Sequence, residues 1–497
     1  MDNLKAQGTK AFVWDFTGKI IMSGTSFIVT IFLARLLAPA EFGLIAIVMV
    51  IIGIAQVFTD VGLGSALIQR RRVLSIHYSS VFYFNILIGS VLTIMTFLSA
   101  RWIGTFYNND QLVAIIQIMS VAFIINAFSS VQVTKLRKEI NYVTLTKAGF
   151  LASLLSGITG ILLAYNGAGV WSLVTQILSR GVIFNIYIWI ISKWIPPFLF
   201  SLKALVQLWG FGFRMFLTGL MESIFTRLDV IIIGKLFTPD SLGFFDRAKS
   251  LNQMISTYSS GSLMSVLFPV LSKVQNDLPC FQNIVIKAFG MISFVVFLLS
   301  GMMYLVADEL IITLFSEKWL LSAEYFRLFL LSGFTYPLNA LLVNVLISRG
   351  NSKAFLRLEI YKKIILGLNL AIGFTLGIEG YLYGLVIASL LAIYINTFFV
   401  SREINVQKIY FFKPIIIQMI IAVFTGAVVM YLNHTNEWSE ILMLIVKGTE
   451  FIVLYFLISK ILNTKPYHIF IIQLSSIFFK MIKKINLNKN RQEKNET

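Results

Sequence analysis

The chain has 497 residues, of which 57% are hydrophobic and 13% charged, about half the charged share of an ordinary soluble domain, so a water-soluble fold is excluded. Its 41 Lys+Arg against 23 Asp+Glu leave a net charge of +18; in so apolar a chain this excess reads as the basic loops of a membrane protein, and no nucleic-acid partner is expected. The single cysteine, Cys280, excludes an intrachain disulfide, and His77, His434 and His468 lie too far apart for a metal motif, so neither a metal nor another cofactor is expected.

A bilayer core about 30 Å thick takes about 20 apolar residues per helix. Taken in chain order, fourteen spans are expected, near 12–34, 43–66, 78–103, 111–133, 144–165, 169–192, 208–235, 243–271, 284–306, 322–348, 356–376, 380–400, 414–432 and 441–460. The first is too long for a signal peptide and reads as a retained span. With the amino terminus inside, the inner segments hold 29 of the 41 basic residues and the outer ones six, which predicts that both termini are cytoplasmic. Eight of the 29 belong to the tail 460–497, where an amphipathic helix over Pro466–Lys484 is expected on the inner leaflet. The outer connections are too short for a folded domain, and no G-x-x-x-x-G-K-[ST] run is present, so the chain is not expected to hydrolyse ATP through a P-loop.

Residues 34–44 (ARLLAPAEFGL) and 234–244 (GKLFTPDSLGF) match in type at an offset of 200: Arg35 with Lys235, Leu36 with Leu236, Pro39 with Pro239, Gly43 with Gly243. A weaker echo joins Gly167–Trp171 with Gly377–Tyr381. Pro and Gly turns between spans resemble one another anywhere, but equal spacing inside both halves favours duplication. Six spans per repeat is an even number, so the halves share one orientation and should relate by an axis along the membrane normal. The Gly373-x-x-x-Gly377 and Gly380-x-x-x-Gly384 runs read as sites of close helix packing.

Six basic residues, Lys19, Arg180, Arg214, Arg227, Arg327 and Lys447, fall inside expected spans. A charge at the bilayer centre costs about 2.5–3.5 kcal/mol on insertion scales, so each should face a cavity or a partner. On one continuous seventh helix, Arg214, Glu222 and Asp229 fall within about 80° of one another and Arg227 points nearly opposite. Asp15 and Lys19 share a face of the first span, Gln56 and Asp60 a face of the second, and Asp246 and Arg247 open the eighth. One reading is a cationic cavity between spans 1, 2, 7 and 8 that holds a phosphate or diphosphate, with Lys19, Arg180, Arg214, Arg227 and Arg247 as its cations; an arginine fork binds phosphate oxygens in pairs and stays charged when dehydrated. The other is interhelical ion pairing, Arg227 with Asp60 or Arg214 with Glu222.

The runs LARLLAPAEFGLIA (33–46), FTDVGLGSALIQ (58–69) and RLDVIIIGKLFTPDSLGFFDRAKSL (227–251) resemble the Wzx-type oligosaccharide flippases of the multidrug/oligosaccharidyl-lipid/polysaccharide (MOP) exporter superfamily. The resemblance implies an all-α membrane protein with two pseudo-symmetric six-helix lobes around a central cavity, over 1–205 and 206–405, two further helices over 406–464 and a basic cytoplasmic tail over 465–497. It implies a non-enzymatic carrier in the inner membrane that moves undecaprenyl-diphosphate-linked glycan by alternating access. It further implies coupling to H+ or Na+ through Asp60, Glu222, Asp229 or Asp246, and a polymerase and glycosyltransferases as pathway partners. A MATE-type multidrug exporter and a membrane glycosyltransferase or polymerase are the rival readings; the first favours an acidic pocket, the second a long outer loop.

Overall fold

The computed structural model describes residues 2–436, 438–473 and 475, and every regular element among them is a helix. The chain divides into two compact units, Met1–Asp246 and Arg247–Thr497. Eleven stretches of the described residues are long and apolar enough to cross a membrane by length and composition; three of these, 111–138, 317–348 and 353–403, each hold two consecutive α-helices, and the expected spans 208–235 and 243–271 are not among the eleven. Each of the fourteen segments read from sequence falls on one helix or on two consecutive ones. The chain is a multi-pass, all-α membrane protein.

The first unit contains α1 (Asp2–Leu36), α2 (Pro39–Asp60), α3 (Leu63–Gln69), α4 (Ser75–Tyr107), α5 (Gln111–Met119), α6 (Ala122–Lys138), α7 (Tyr142–Tyr165), α8 (Val170–Ser192), α9 (Leu202–Phe225), α10 (Leu228–Leu236) and the start of α11 (Pro239–Lys273). Without a hydrophobic force between helices in lipid, close approach depends on small side chains, and α7 supplies them. Its Gly149 lies against the Met22 sulfur, Gly157 against Val29 and Gly160 against Gln176, which seats α7 between α1 and α8. Helix starts are capped locally: the Asn141 side chain accepts from the Thr144 N–H (3.3 Å) and the Ser201 hydroxyl from the Ala204 N–H (3.3 Å), each satisfying a first-turn donor that has no partner inside the helix.

Three spans are interrupted, for visible reasons. Between α2 and α3 the chain turns through Val61 (φ 44°) and Gly62 (φ 71°), and a Cβ on Gly62 would collide with the Gly212 carbonyl of α9, so this position requires glycine. Between α5 and α6 the Ser120 hydroxyl donates to the Gln117 carbonyl (2.7 Å). Between α9 and α10 the Thr226 hydroxyl donates to the Glu222 carbonyl (2.8 Å) and Arg227 leaves helical geometry (φ −120°, ψ 0°); such back-bonding by Ser and Thr bends a helix. The break corrects the single-helix reading of the seventh span. Asp229 is buried, whereas Arg214 and Glu222 on α9 are exposed.

The duplicated turns meet inside this unit. A Cβ on Gly43 would collide with the Pro239 carbonyl oxygen, and a Cβ on Gly243 with that of Pro39. The contact is reciprocal, residue i on residue j′ and j on i′, as two-fold pairing of like surfaces demands.

The second unit comprises the rest of α11, α12 (Leu278–Leu305), α13 (Ala307–Phe315), a 3-10 turn (Glu317–Trp319), α14 (Leu320–Gly333), α15 (Thr335–Ser348), α16 (Ser352–Gly373), α17 (Gly377–Glu403), α18 (Ile409–Leu432) and α19 (Glu440–Ile461). Its core gathers Phe281, Phe289, Leu338, Leu342, Phe411 and Phe451. In the middle of that core the Tyr455 hydroxyl lies 2.7 Å from Gln418 Oε1 and 3.1 Å from the Phe294 carbonyl, tying α19 to α18 and α12. Residues 465–473 are helical as expected, but Tyr467 and Phe470 pack on Phe294 and Phe456, with ring centroids 5.2–6.2 Å apart. This stretch is docked on the unit through those rings; the remainder to Lys484, apart from Ser475, lies outside the described residues.

Candidate functional site

The six basic residues of the spans sort into groups. Arg327 pairs with Asp308 (2.5 Å) and Lys447 with Glu309, both within the second unit, so these two charges are used up in joining helices. Arg180, Arg214 and Arg227 form no ion pair with any carboxylate among the described residues, and all three belong to the first unit. Lys19 is exposed on α1 beside Gly18, which packs on Thr146 of α7. The side chains of Asp15 and Asp60 lie outside the described residues, so the proposed Arg227–Asp60 pair does as well.

Arg227 sits at the α9–α10 break. Its guanidinium lies flat on Gly53 of α2, where a Cβ would come within 2.5 Å of Cζ. The Ser223 hydroxyl donates to the Gly53 carbonyl (3.2 Å), locking α9 to α2 one turn before the break. Glycine at 53 thus opens the slot that the guanidinium fills. On α9 itself Arg214 and Glu222 are exposed and no ion pair joins them among the described residues; the buried face of this helix is Ala204, Leu205, Leu208, Gly212 and Phe216. Asp229, in the first turn of α10, accepts from the Val230 N–H through Oδ1 (2.8 Å), at a helix start where a negative charge is favoured by the helix dipole. Asp246 is half-buried.

Arg247, the first residue of the second unit, is 7% exposed, with its guanidinium carbon 5.4 Å from the Phe315 ring centroid and 5.6 Å from that of Trp319. Both rings are fully buried. This is a cation held between aromatic faces, set in a packed core.

Arg180 borders a cavity of about 300 Å3 inside the first unit, between α1, α2, α5, α6, α7 and α8. Met22, Met49, Met119, Ile125, Asn126 and Phe184 are among its walls. Asn126 Nδ2 donates to Gln56 Oε1 (2.9 Å), so a polar bridge between α6 and α2 stands beside an otherwise apolar wall. Gln56 was expected on this face of α2; Asn126 was not.

Neutral amides were the signal passed over in a reading that counted charges. Asn85 donates to the Thr59 and Val81 carbonyls (3.2 and 3.3 Å) and accepts from the Ser130 hydroxyl (2.6 Å), joining α4, α2 and α6. At the end of the bundle that carries Arg70–Arg72, Lys138 Nζ donates to the Leu67 (2.6 Å) and Arg70 (2.5 Å) carbonyls, and Gln207 accepts from Arg70 Nη2 (2.7 Å). These carbonyls close α3, where a cation complements the helix dipole.

Comparison with known proteins adds the following. A family model described as "Polysaccharide biosynthesis protein" matches residues 32–324. The teichuronic acid biosynthesis protein TuaB of Bacillus subtilis (strain 168) is 25% identical over 304 residues, which is 60% of this chain and 62% of TuaB; the chain thus spans less than two thirds of that relative's length. Among solved structures, the lipid II flippase MurJ in an inward closed conformation superposes with a TM-score of 0.68 at 15% identity, covering 90% of this chain and 100% of MurJ. An inward-facing multidrug resistance MATE family transporter of the MOP superfamily gives 0.59 at 16% identity, over 77% of this chain and 94% of its own. At these identities the two structures speak for the fold alone.

Proposed function

We propose that this chain, which belongs to the polysaccharide biosynthesis protein family, carries a polyprenyl-diphosphate-linked oligosaccharide across the bacterial inner membrane. The observation that supports it best is the sorting of the cations read into the spans: Arg327 and Lys447 are neutralised in ion pairs, while Arg180, Arg214 and Arg227 form no ion pair with any described carboxylate, and Arg180 stands on a helix long and apolar enough to cross a membrane. An isolated cation in a span is costly and marks a ligand path. Arg227 and Arg214 are the residues that grip the diphosphate. A guanidinium matches two phosphate oxygens at once and loses little by leaving water, so it releases the anion without itself changing protonation.

In this reading the polyprenyl tail stays in lipid and the glycan moves through a hydrated path opened alternately to the two faces, with both termini cytoplasmic. Lys19 extends the basic surface, and Asp229 holds the first turn of α10 behind Arg227. The stacking of Arg247 between Phe315 and Trp319 supports a packing role for that cation. The carrier performs no covalent chemistry on the glycan.

The test uses a host whose surface glycan depends on this protein, with membrane abundance and surface glycan measured together. Arg227→Ala and Arg214→Ala are each expected to lower surface glycan about tenfold or more at unchanged abundance, the scale of one lost charge-assisted contact of about 1.5–3 kcal/mol. Arg227→Lys, which keeps the charge and loses the fork, falls between. Normal glycan at normal abundance in both alanine variants overturns the proposal.

A further inference from the structure

Arg180 invites a different role from the other cations. The cavity beside it, about 300 Å3, has the volume of about ten waters at ~30 Å3 each. That space admits a small ion with part of its hydration shell; an oligosaccharide chain does not fit. The polar chemistry of its wall is one-sided. Arg180 brings five N–H donors and a fixed positive charge. Asn126 uses one N–H on Gln56 Oε1, which leaves its second N–H as a further donor. No carboxylate lines the cavity among the described residues. The remaining walls are Met thioethers and hydrocarbon, which neither neutralise a cation nor solvate a metal ion.

Buried polar atoms without partners lie one helical turn from this wall. Asn185 Oδ1 stands one turn beyond the lining residue Gly181 on α8, and Ser153 Oγ one turn beyond Gly149 on α7. Groups of this kind in a protein interior are satisfied by ordered water; these two stand next to the cavity rather than in its lining. Arg180 itself is exposed while bordering the cavity.

We propose that this chamber inside the first unit is a binding site for a small monovalent anion, a halide or a simple carboxylate, held by the Arg180 guanidinium with the Asn126 amide beside it. Binding answers the Arg180 charge and ties α8 to the α6 wall that carries Asn126, so the ion stabilises the unit. The site is distinct from the diphosphate grip at Arg214 and Arg227 and does not rest on the transport reading.

The experiment is thermal unfolding of the purified full chain in nanodiscs, titrated with sodium chloride or sodium formate at constant ionic strength against the bulky sulfonate MES. Wild type is expected to show a saturable rise in Tm with chloride and formate. Arg180→Gln is expected to raise the half-saturating concentration at least tenfold, Arg180→Lys and Asn126→Leu several-fold, and Arg214→Gln not at all. Direct uptake of radioactive chloride by the same samples follows the same order. If Arg180→Gln does not fold, the Arg180→Lys and Asn126→Leu titrations decide alone. A wild-type Tm indifferent to the choice of anion, or a chloride response unchanged in every Arg180 and Asn126 variant, overturns the proposal. Loss of glycan export in the Arg227 variant with chloride binding intact separates this site from the transport reading, whichever way that reading falls.

Discussion

Removing one member of the Glu309–Lys447 pair tests how the second unit holds charge inside a membrane. Lys447 comes from α19 and Glu309 from α13, their side chains only 16% and 10% exposed, and the two helices pack together. Lys447→Met leaves a buried carboxylate unanswered, and Glu309→Gln leaves a buried ammonium. Breaking such a pair costs about 3–5 kcal/mol, whereas replacing both ions is close to neutral. In a unit of this size each kcal/mol moves Tm by roughly 2–4 °C, so each single variant should melt about 6–20 °C below wild type. The double variant Glu309→Gln/Lys447→Met should recover most of that loss, within about 1.5 kcal/mol of wild type. Unfolding in detergent, followed by intrinsic fluorescence and by circular dichroism, reads all four corners of the cycle. Single-variant losses below about 1 kcal/mol, or losses that simply add in the double variant, refute the argument that the pair is desolvated and coupled.

Other outcomes follow from close backbone approaches. Gly62→Ala must hold a side chain at φ 71° against the Gly212 carbonyl, and should cost about 1–3 kcal/mol, seen as a lower Tm. Gly53→Ala pushes the Arg227 guanidinium out of its slot; surface glycan should fall as in Arg227→Ala while membrane abundance holds. Gly43→Val and Gly243→Val strike the same reciprocal contact from its two sides, so their Tm losses should be similar, and the double variant should lose less than their sum.

The membrane class, the helical content and the positions of most long apolar helices were legible in the sequence, because the bilayer demands long apolar runs and leaves the chain little choice. The sequence also showed two matching turns, Pro39/Pro239 and Gly43/Gly243. Packing alone showed that the two copies of that motif touch each other, since a repeat in sequence says nothing about which carbonyl a glycine will meet. The same limit applies to charge. Composition identified Arg180, Arg214, Arg227, Arg327 and Lys447 as intramembrane cations, yet only the folded chain could pair Arg327 and Lys447 with Asp308 and Glu309, carboxylates on a neighbouring helix. A helical wheel assumes an unbroken ladder, and the Thr226–Arg227 interruption turned Asp229 away from the face it was assigned. The cavity beside Arg180 is likewise a product of tertiary structure: Arg180 comes from α8 and Asn126 from α6, far apart in the chain, and a cavity is defined by what its walls leave unfilled.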